Sequence, residues 1–461
     1  MKKMSLLLGG MVMALSMTAC SSKAPEAPKT AESPKTEQTS AQGNQGTEAE
    51  DKSGSGGEKQ KVVYWSWQPT DKQIAVLEPA FEAAYPDIDL EYWRGELPDY
   101  QKKLQVAIAS GEGPDLMGMQ TGAMLNQYSK FLEPLDPIAD EAFGAGWEDG
   151  YLENALNECK NADGSYVALP VNVSAQQFVM YNKTLFDEAG ITKTPETYEE
   201  WKETVEILRA KYPDIVPVVY GAKEADKCVD MFNALSQQFG PGKFYEAEQG
   251  TIPWTDQVFV DTMTAWKQMF DDKIFQDGAI GLQMYPDASI KYFFDRKAVM
   301  FMTGSWQTGA LQEGGPKYNG ATNNDEFGMF ILPQIGPSEP KAVVSTDIAV
   351  AINKDAKNKE AAKLLLDFMI HGEGNQIMAD QLSGTSAKKD VSPRTLDNFK
   401  SESERAIVPY TTEKIQESAG KRFLNDKELV NALGVAMQDV VTGKDINKAL
   451  AEVQSAYEKL K

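Results

Sequence analysis

Residues 61–119 read KVVYWSWQPTDKQIAVLEPAFEAAYPDIDLEYWRGELPDYQKKLQVAIASGEGPDLMGM, and their pattern decides the fold class. Val62-Val63-Tyr64-Trp65 has the apolar, β-favouring make-up of a short strand, with the loop Ser66-Trp67-Gln68-Pro69-Thr70 behind it. From Asp71 the apolar residues Ile74, Leu77, Phe81 and Ala84 recur at helical spacing until Pro86 stops them. Residues 88–93 read as a second strand. Residues 99–110 read as a second helix, with Tyr100, Leu104, Ala107 and Ile108 on one face. Gly111-Glu112-Gly113-Pro114 breaks that helix and leads into a third strand over 115–119. Strand, helix, strand, helix, strand without a hairpin signal means parallel strands joined by right-handed crossovers. The expectation is a doubly wound α/β lobe.

Working outward, Val167-Ala168-Leu169-Pro170-Val171 and Phe178-Val179-Met180-Tyr181 read as two strands. The second runs into Asn182-Lys183 and a helix that stops at Gly190. Thr197 with Glu200 three residues on forms a capping box for the next helix. Further strands are expected over 215–220, 327–332 and 348–352, and helices over 258–270, 359–370, 429–441 and 446–460. Between them, Phe294-Asp295-Arg296-Lys297 is a charged turn into the buried strand Ala298-Val299-Met300-Phe301-Met302. That strand ends on Thr303-Gly304-Ser305-Trp306. Open α/β sheets bind ligands beyond the carboxyl ends of their strands, so Trp306 is a candidate ligand contact. Gly304 and Ser305 are small enough to let a solute approach the backbone. Asn161-Ala162-Asp163-Gly164-Ser165 has the look of a calcium loop but lacks its closing glutamate, and reads as a hairpin turn.

With 461 residues, 42% of them hydrophobic, the chain can bury a large core spread over more than one domain. A formal net charge of -22 disfavours nucleic acid, whose phosphates need a basic face. His371 is the lone histidine, which leaves Ser-His-Asp, Cys-His and multi-histidine zinc chemistry without raw material. No metal and no cofactor is expected. Lys2 and Lys3, an apolar run over 6–14 and Met17-Thr18-Ala19-Cys20 resemble a bacterial lipoprotein signal. The reading is a removed leader, 1–19, and a lipidated Cys20. Residues 20–60 carry no aromatic residue and almost nothing apolar beyond alanine, the composition of a flexible tether. Cys159 and Cys228 remain, and their pairing is left open.

Taken together, several spaced segments resemble the extracellular solute-binding proteins of ABC importers, in the carbohydrate-binding family that includes the maltose-binding protein. They are Ser110-Gly111-Glu112-Gly113-Pro114-Asp115-Leu116, then Leu169-Pro170 through Tyr181-Asn182-Lys183 with Leu185-Phe186 and Ala189-Gly190. Thr194-Pro195-Glu196-Thr197-Tyr198-Glu199-Glu200-Trp201 is similar to the family's proline-rich helix start, and 293–306 to its Gly-Ser-Trp signature. Asn353-Lys354 through Asn358-Lys359-Glu360-Ala361-Ala362, and Thr442-Gly443-Lys444 with Ala449-Leu450, resemble its later segments. Arg296 departs from the pattern, standing where the family has glycine; a solvent-facing turn that tolerates a side chain is expected there.

The resemblance implies two doubly wound α/β lobes joined by a multi-crossing hinge, the class II periplasmic-binding-protein arrangement. One lobe would be 61–172 plus 330–384, the other 173–329 plus 385–461. Crossings are expected near 171–174, 328–333 and 383–387. It also implies a monomer on the outer face of a bacterial cell membrane, anchored through Cys20, that hands a sugar or oligosaccharide to ABC permease subunits without covalent chemistry. A glycerol phosphodiester or peptide ligand, a lipid-anchored glycoside hydrolase with paired carboxylates, and a surface sensor or adhesin are the alternatives.

A sugar offers hydroxyls at its edge and C–H bonds on its faces, so its site needs planar hydrogen-bonding groups and aromatic rings. Candidates are Trp67 and Gln68 after the first strand, Glu96 after the second and Gln120 after the third. Asn172 and Ser174 lie at the first crossing, and Ser305 and Trp306 close the 294–306 stretch. Asp347 precedes a late strand, and Trp254 sits in a loop before a helix. None of these is an arginine or lysine, which argues for a neutral ligand over a phosphate.

Overall fold

The computed structural model describes residues 59–381 and 384–461. The leader, Cys20 and the tether as far as residue 58 lie outside the described residues. Ten strands order the described residues. They are β1 Gln60–Ser66, β2 Ile88–Arg94, β3 Leu116–Met119, β4 Leu169–Asn182 and β5 Val216–Val219. After these come β6 Ala298–Gly304, β7 Phe327–Ile331, β8 Val343–Ile352, β9 Thr385–Ser386 and β10 Gly420–Lys421.

β1 pairs in parallel with β2 on one side and β3 on the other, with a helix in each crossover, as the opening pattern requires. β8 lies antiparallel to β3, and β4 antiparallel to β8, giving the order β2-β1-β3-β8-β4. Beyond its midpoint β4 changes partners. Residues 169–176 pair with β8, while residues 176–181 pair with β6 and residues 178–182 with β7. β5 adds to β6 in parallel. The result is two α/β lobes of the class II binding-protein kind, with β4 running through both. At the change of partner the register skips one residue between Gln176 and Phe178, and Gln177 takes a φ of 92°. A bulge of this kind bends a strand and raises its twist.

Several expectations need correcting here. Residues 167–171 and 178–181 are not separate strands; 169–182 is one strand of 14 residues. Asn172, Ser174, Gln176 and Gln177 are buried yet polar, so the run lacks the apolar signal of a buried strand. The helices Ala225–Phe239 and Glu402–Gln416 have no counterpart among the expected elements. Near the third crossing, β9 pairs with Asn172 and Val173, while residues 382 and 383 lie outside the described residues.

Other readings hold in detail. Thr197 and Glu200 form both halves of the capping box. Lys160 and Tyr166 bridge antiparallel around Gly164, at φ 94°, which makes 161–165 a hairpin turn. Cys159 and Cys228 are buried free thiols. The Arg296 turn does accept a side chain, but at a φ of 60°, in the left-handed region that favours glycine.

Candidate functional site

β1 and β3 are parallel neighbours, so the loops that follow them leave at one edge of the sheet. There Gln120 Nε2 donates to Asp347 Oδ1 of β8 at 2.7 Å. The residues adjoining this pair are tied from below by Glu158. Its Oε2 accepts from the Thr121 hydroxyl at 2.7 Å and from the Thr346 N–H at 3.1 Å. Burial pushes the Glu158 carboxyl up to about 7, against the opposing pull of those hydrogen bonds.

The centre of the site is Arg422, which follows β10 and is 2% exposed. Its Nε and Nη2 donate to the two carboxylate oxygens of Asp230 at 2.8 and 2.5 Å, a fork that fits guanidinium to carboxylate. Nη1 donates to Ser174 Oγ at 3.0 Å and stands 4.0 Å from Asp347 Oδ1. Burial alone would lower its pKa, but Asp230 outweighs that and holds Arg422 above its ordinary value. Asp230 comes from the helix Ala225–Phe239, whose Asn233 donates to the Arg422 carbonyl at 3.0 Å.

Trp306 opens the short turn Ser305–Leu311 at the end of β6 and is half-buried. Its ring folds back over Gly304, where a Cβ would come within 2.0 Å of it. The Arg422 guanidinium lies against the ring, 4.4 Å from its centroid. Trp306 Nε1 donates to Tyr285 Oη, and Tyr285 donates to Gln307 Oε1 at 2.9 Å. Burial pushes the Tyr285 phenol up, keeping it a neutral donor.

A family model for bacterial extracellular solute-binding proteins matches residues 64–376. The chain belongs to that family. The multiple sugar-binding protein of Streptococcus mutans is 25% identical over 329 residues, 70% of this chain and 73% of its own length. The maltotriose-binding protein of Pyrococcus abyssi is 26% identical over 60% of this chain and 54% of its own length. Among solved structures, a chitin oligosaccharide binding protein superposes with a TM-score of 0.71 at 22% identity, covering 87% of this chain and 99% of its own. An ABC substrate-binding protein of Listeria monocytogenes in complex with cycloalternan gives 0.71 at 18%, over 87% and 99%.

In this solute-binding protein, Trp306, Ser174, Asp347 and Gln120 gather around Arg422. Trp67, 8% exposed and 5.7 Å from the Tyr100 ring, and Gln68 lie at the end of β1, on the edge that also carries Gln120. Gln68 Oε1 is buried without a partner. Asn172 is buried inside β4, accepting from the Ile348 N–H at 3.2 Å. Three residues sit elsewhere. Trp254 is fully enclosed in the core, stacked on Phe259 at 5.2 Å. Glu96 is an exposed helix-start residue paired with Arg94 at 2.8 Å. Ser305 accepts from the Ala175 N–H at 3.0 Å and lines a separate cleft of about 520 Å³ with Thr308, Thr385 and Thr411. The space above Gly304 is filled by Trp306 itself, so it does not serve as an approach for solute.

Arg422, Asp230 and Tyr285 are absent from the sequence-based candidates. The candidates include no arginine or lysine, whereas the cluster around Trp306 has Arg422 at its centre. Nothing local marks Arg422, whose carboxylate partner is 192 residues away in the chain. Asp230 lies in the helix Ala225–Phe239, whose buried polar residues interrupt its apolar stripe.

Proposed function

We propose that this chain is the sugar-capturing subunit of an ABC importer, taking a neutral sugar or oligosaccharide between its lobes and passing it to a membrane permease. The observation that carries the reading is charge pairing around Trp306. Arg422 is neutralised by Asp230, and beside it stand amides, a phenol, an indole and the Asp347 carboxylate, which accepts from Gln120. Such a set suits hydroxyls and C–H faces. The sugar-binding descriptions of the Streptococcus and Pyrococcus relatives agree with it. Arg422 is the phosphate-type group that a glycerol phosphodiester would seek, but its fork is already filled by a carboxylate.

In this reading the lobes are 61–172 plus 330–384 and 173–329 plus 385–461, and they hinge where β4 passes from one to the other. Solute held by one lobe gains contacts with the other only on closure, so binding shifts the population to the closed form. No bond of the solute is made or broken. Lipidation at Cys20 would keep the monomer on the outer face of the bacterial membrane, beside its permease. Titration calorimetry against maltotriose, xylotriose, chitotriose and raffinose tests the proposal. One-to-one heat with unaltered sugar supports it. Hydrolysis products, or binding confined to a glycerol phosphodiester or a peptide, would replace it.

A further inference from the structure

The bulge in β4 places two glutamines where an unbroken strand would place one. Opposed residues of paired strands share a face. Ala175 opposes Val344, which lines the cleft beside Thr411 and Ile415 of the helix Glu402–Gln416. Phe178 packs on Tyr410 of that same helix, with ring centroids 6.2 Å apart. Ala175 and Phe178 thus face one way and Gln176 the other, opposite Gly304 and the Trp306 ring folded over it, with Gln177 the unpaired residue of the bulge. That other face is the one on which Ser174 and Ser345, an opposed pair, accept from Arg422. Gln176 lies two residues beyond Ser174, roughly 7 Å along the strand.

Both glutamines are 0% exposed, and neither the oxygen nor the nitrogen of either amide has a hydrogen-bond partner. Among the described residues no other Asn or Gln side chain is orphaned at both atoms. Burying an amide without a partner is costly, and two adjacent ones, the first on the Arg422 face of a solute-binding protein, require a reason. The backbone secures the arrangement, because the Gln177 carbonyl accepts from the Leu332 N–H at 2.8 Å while the side chain is left unbonded.

We propose that Gln176 and Gln177 are specificity-determining residues that grip a pair of adjacent hydroxyls on the captured sugar. The proposal rests on the sugar-binding reading and adds to it the floor of the site. Each amide offers one acceptor oxygen and two N–H donors, and each hydroxyl of a vicinal pair both donates and accepts, so the two sets complement each other. An anionic solute would meet amide oxygens as well as donors and gain less. Both glutamines are enclosed, so the sugar reaches them when the lobes part and Arg422 and Trp306 move with their own elements.

The test compares wild type with Gln176→Met and Gln177→Met, which keep side-chain length and remove the amide. Calorimetry uses whichever of maltotriose, xylotriose, chitotriose and raffinose the wild type binds. Each variant is expected to bind about tenfold more weakly, while its melting temperature is unchanged or higher because an orphaned polar group has gone. Unchanged affinity with a raised melting temperature would mean that the amides hold only water, and would overturn the proposal. If a methionine variant melts early, Gln176→Asn and Gln177→Asn keep the amide and draw it back by one methylene. Full affinity in those variants also overturns it, and a drop in affinity with wild-type melting supports it. A wild type that binds none of the four sugars fails the functional reading itself, before any variant is made.

Discussion

The guanidinium carbon of Arg422 lies 4.4 Å from the centroid of the Trp306 ring, and the same guanidinium forks onto Asp230. An indole is thereby fixed by a cation on its face and a phenol at its Nε1. Rigid aromatic groups of this kind anchor binding sites because little entropy is lost when they engage a ligand. Trp306→Ala is expected to weaken sugar binding by about 1–3 kcal/mol, the range of an aromatic anchor, with the fold intact. Calorimetry alongside a melting curve reads both quantities. Unchanged affinity, or a collapsed melting transition, would take Trp306 out of the site.

Removing the other partner should act on stability. Asp230 is 2% exposed, and Arg422→Met would remove both donors of its fork and leave only Lys227, 3.9 Å away. Breaking a buried pair from one side costs about 3–5 kcal/mol, whereas replacing both partners by apolar groups is often close to neutral. Urea unfolding should therefore show Arg422→Met strongly destabilised and Arg422→Met with Asp230→Leu largely recovered. Equal losses in the single and double variants would mean that packing, not charge, is the main role of Arg422.

Glu158 sets a pH dependence. Its folded-state pKa is raised to about 7 from an ordinary 4.5 by burial, so the folded protein holds this proton more tightly than the unfolded chain does. Stability from this group is complete below about 4.5, declines as pH rises, and is lost above about 7, a change of up to about 3 kcal/mol. Glu158→Gln is expected to flatten the stability profile between pH 5 and 8.

The legible parts of the molecule are those where one local signal suffices. The opening strands and helices show their periods, and Thr197 with Glu200 shows its cap, because each depends on residues within a turn or two. β6 is legible as a short apolar run, and Trp306 as the aromatic residue just past its end. The site's centre is not legible, because its parts come from remote elements. Arg422, Asp230 and Ser174 are each ordinary in their own segments, and only the fold brings them within 3.0 Å. The middle of β4 reads as a loop because its residues are polar. The helix Ala225–Phe239 is hidden for a related reason: Asp230, Asn233, Ser236, Gln237 and Gln238 are all buried and interrupt the apolar stripe. Polar residues inside a site disguise the element that carries them.

Arg296 is the departure from the family pattern that now has a physical account. Its φ of 60° explains a glycine preference, since a left-handed conformation costs an L-residue about 1–2 kcal/mol. The offset is an ion pair: Arg296 Nε meets Asp325 Oδ2 at 2.8 Å, on the oxygen that also accepts from Asn182 at 2.6 Å. Asp325 is 8% exposed, so its partner matters more than a surface cation would. Two substitutions separate the effects. Arg296→Ala removes the pair and keeps the strain, while Arg296→Gly removes both. Chemical denaturation should find the glycine variant close to wild type and the alanine variant less stable than it by about 1 kcal/mol. If the two variants unfold alike, the backbone at this turn stores no strain, and the arginine owes its place to Asp325 alone.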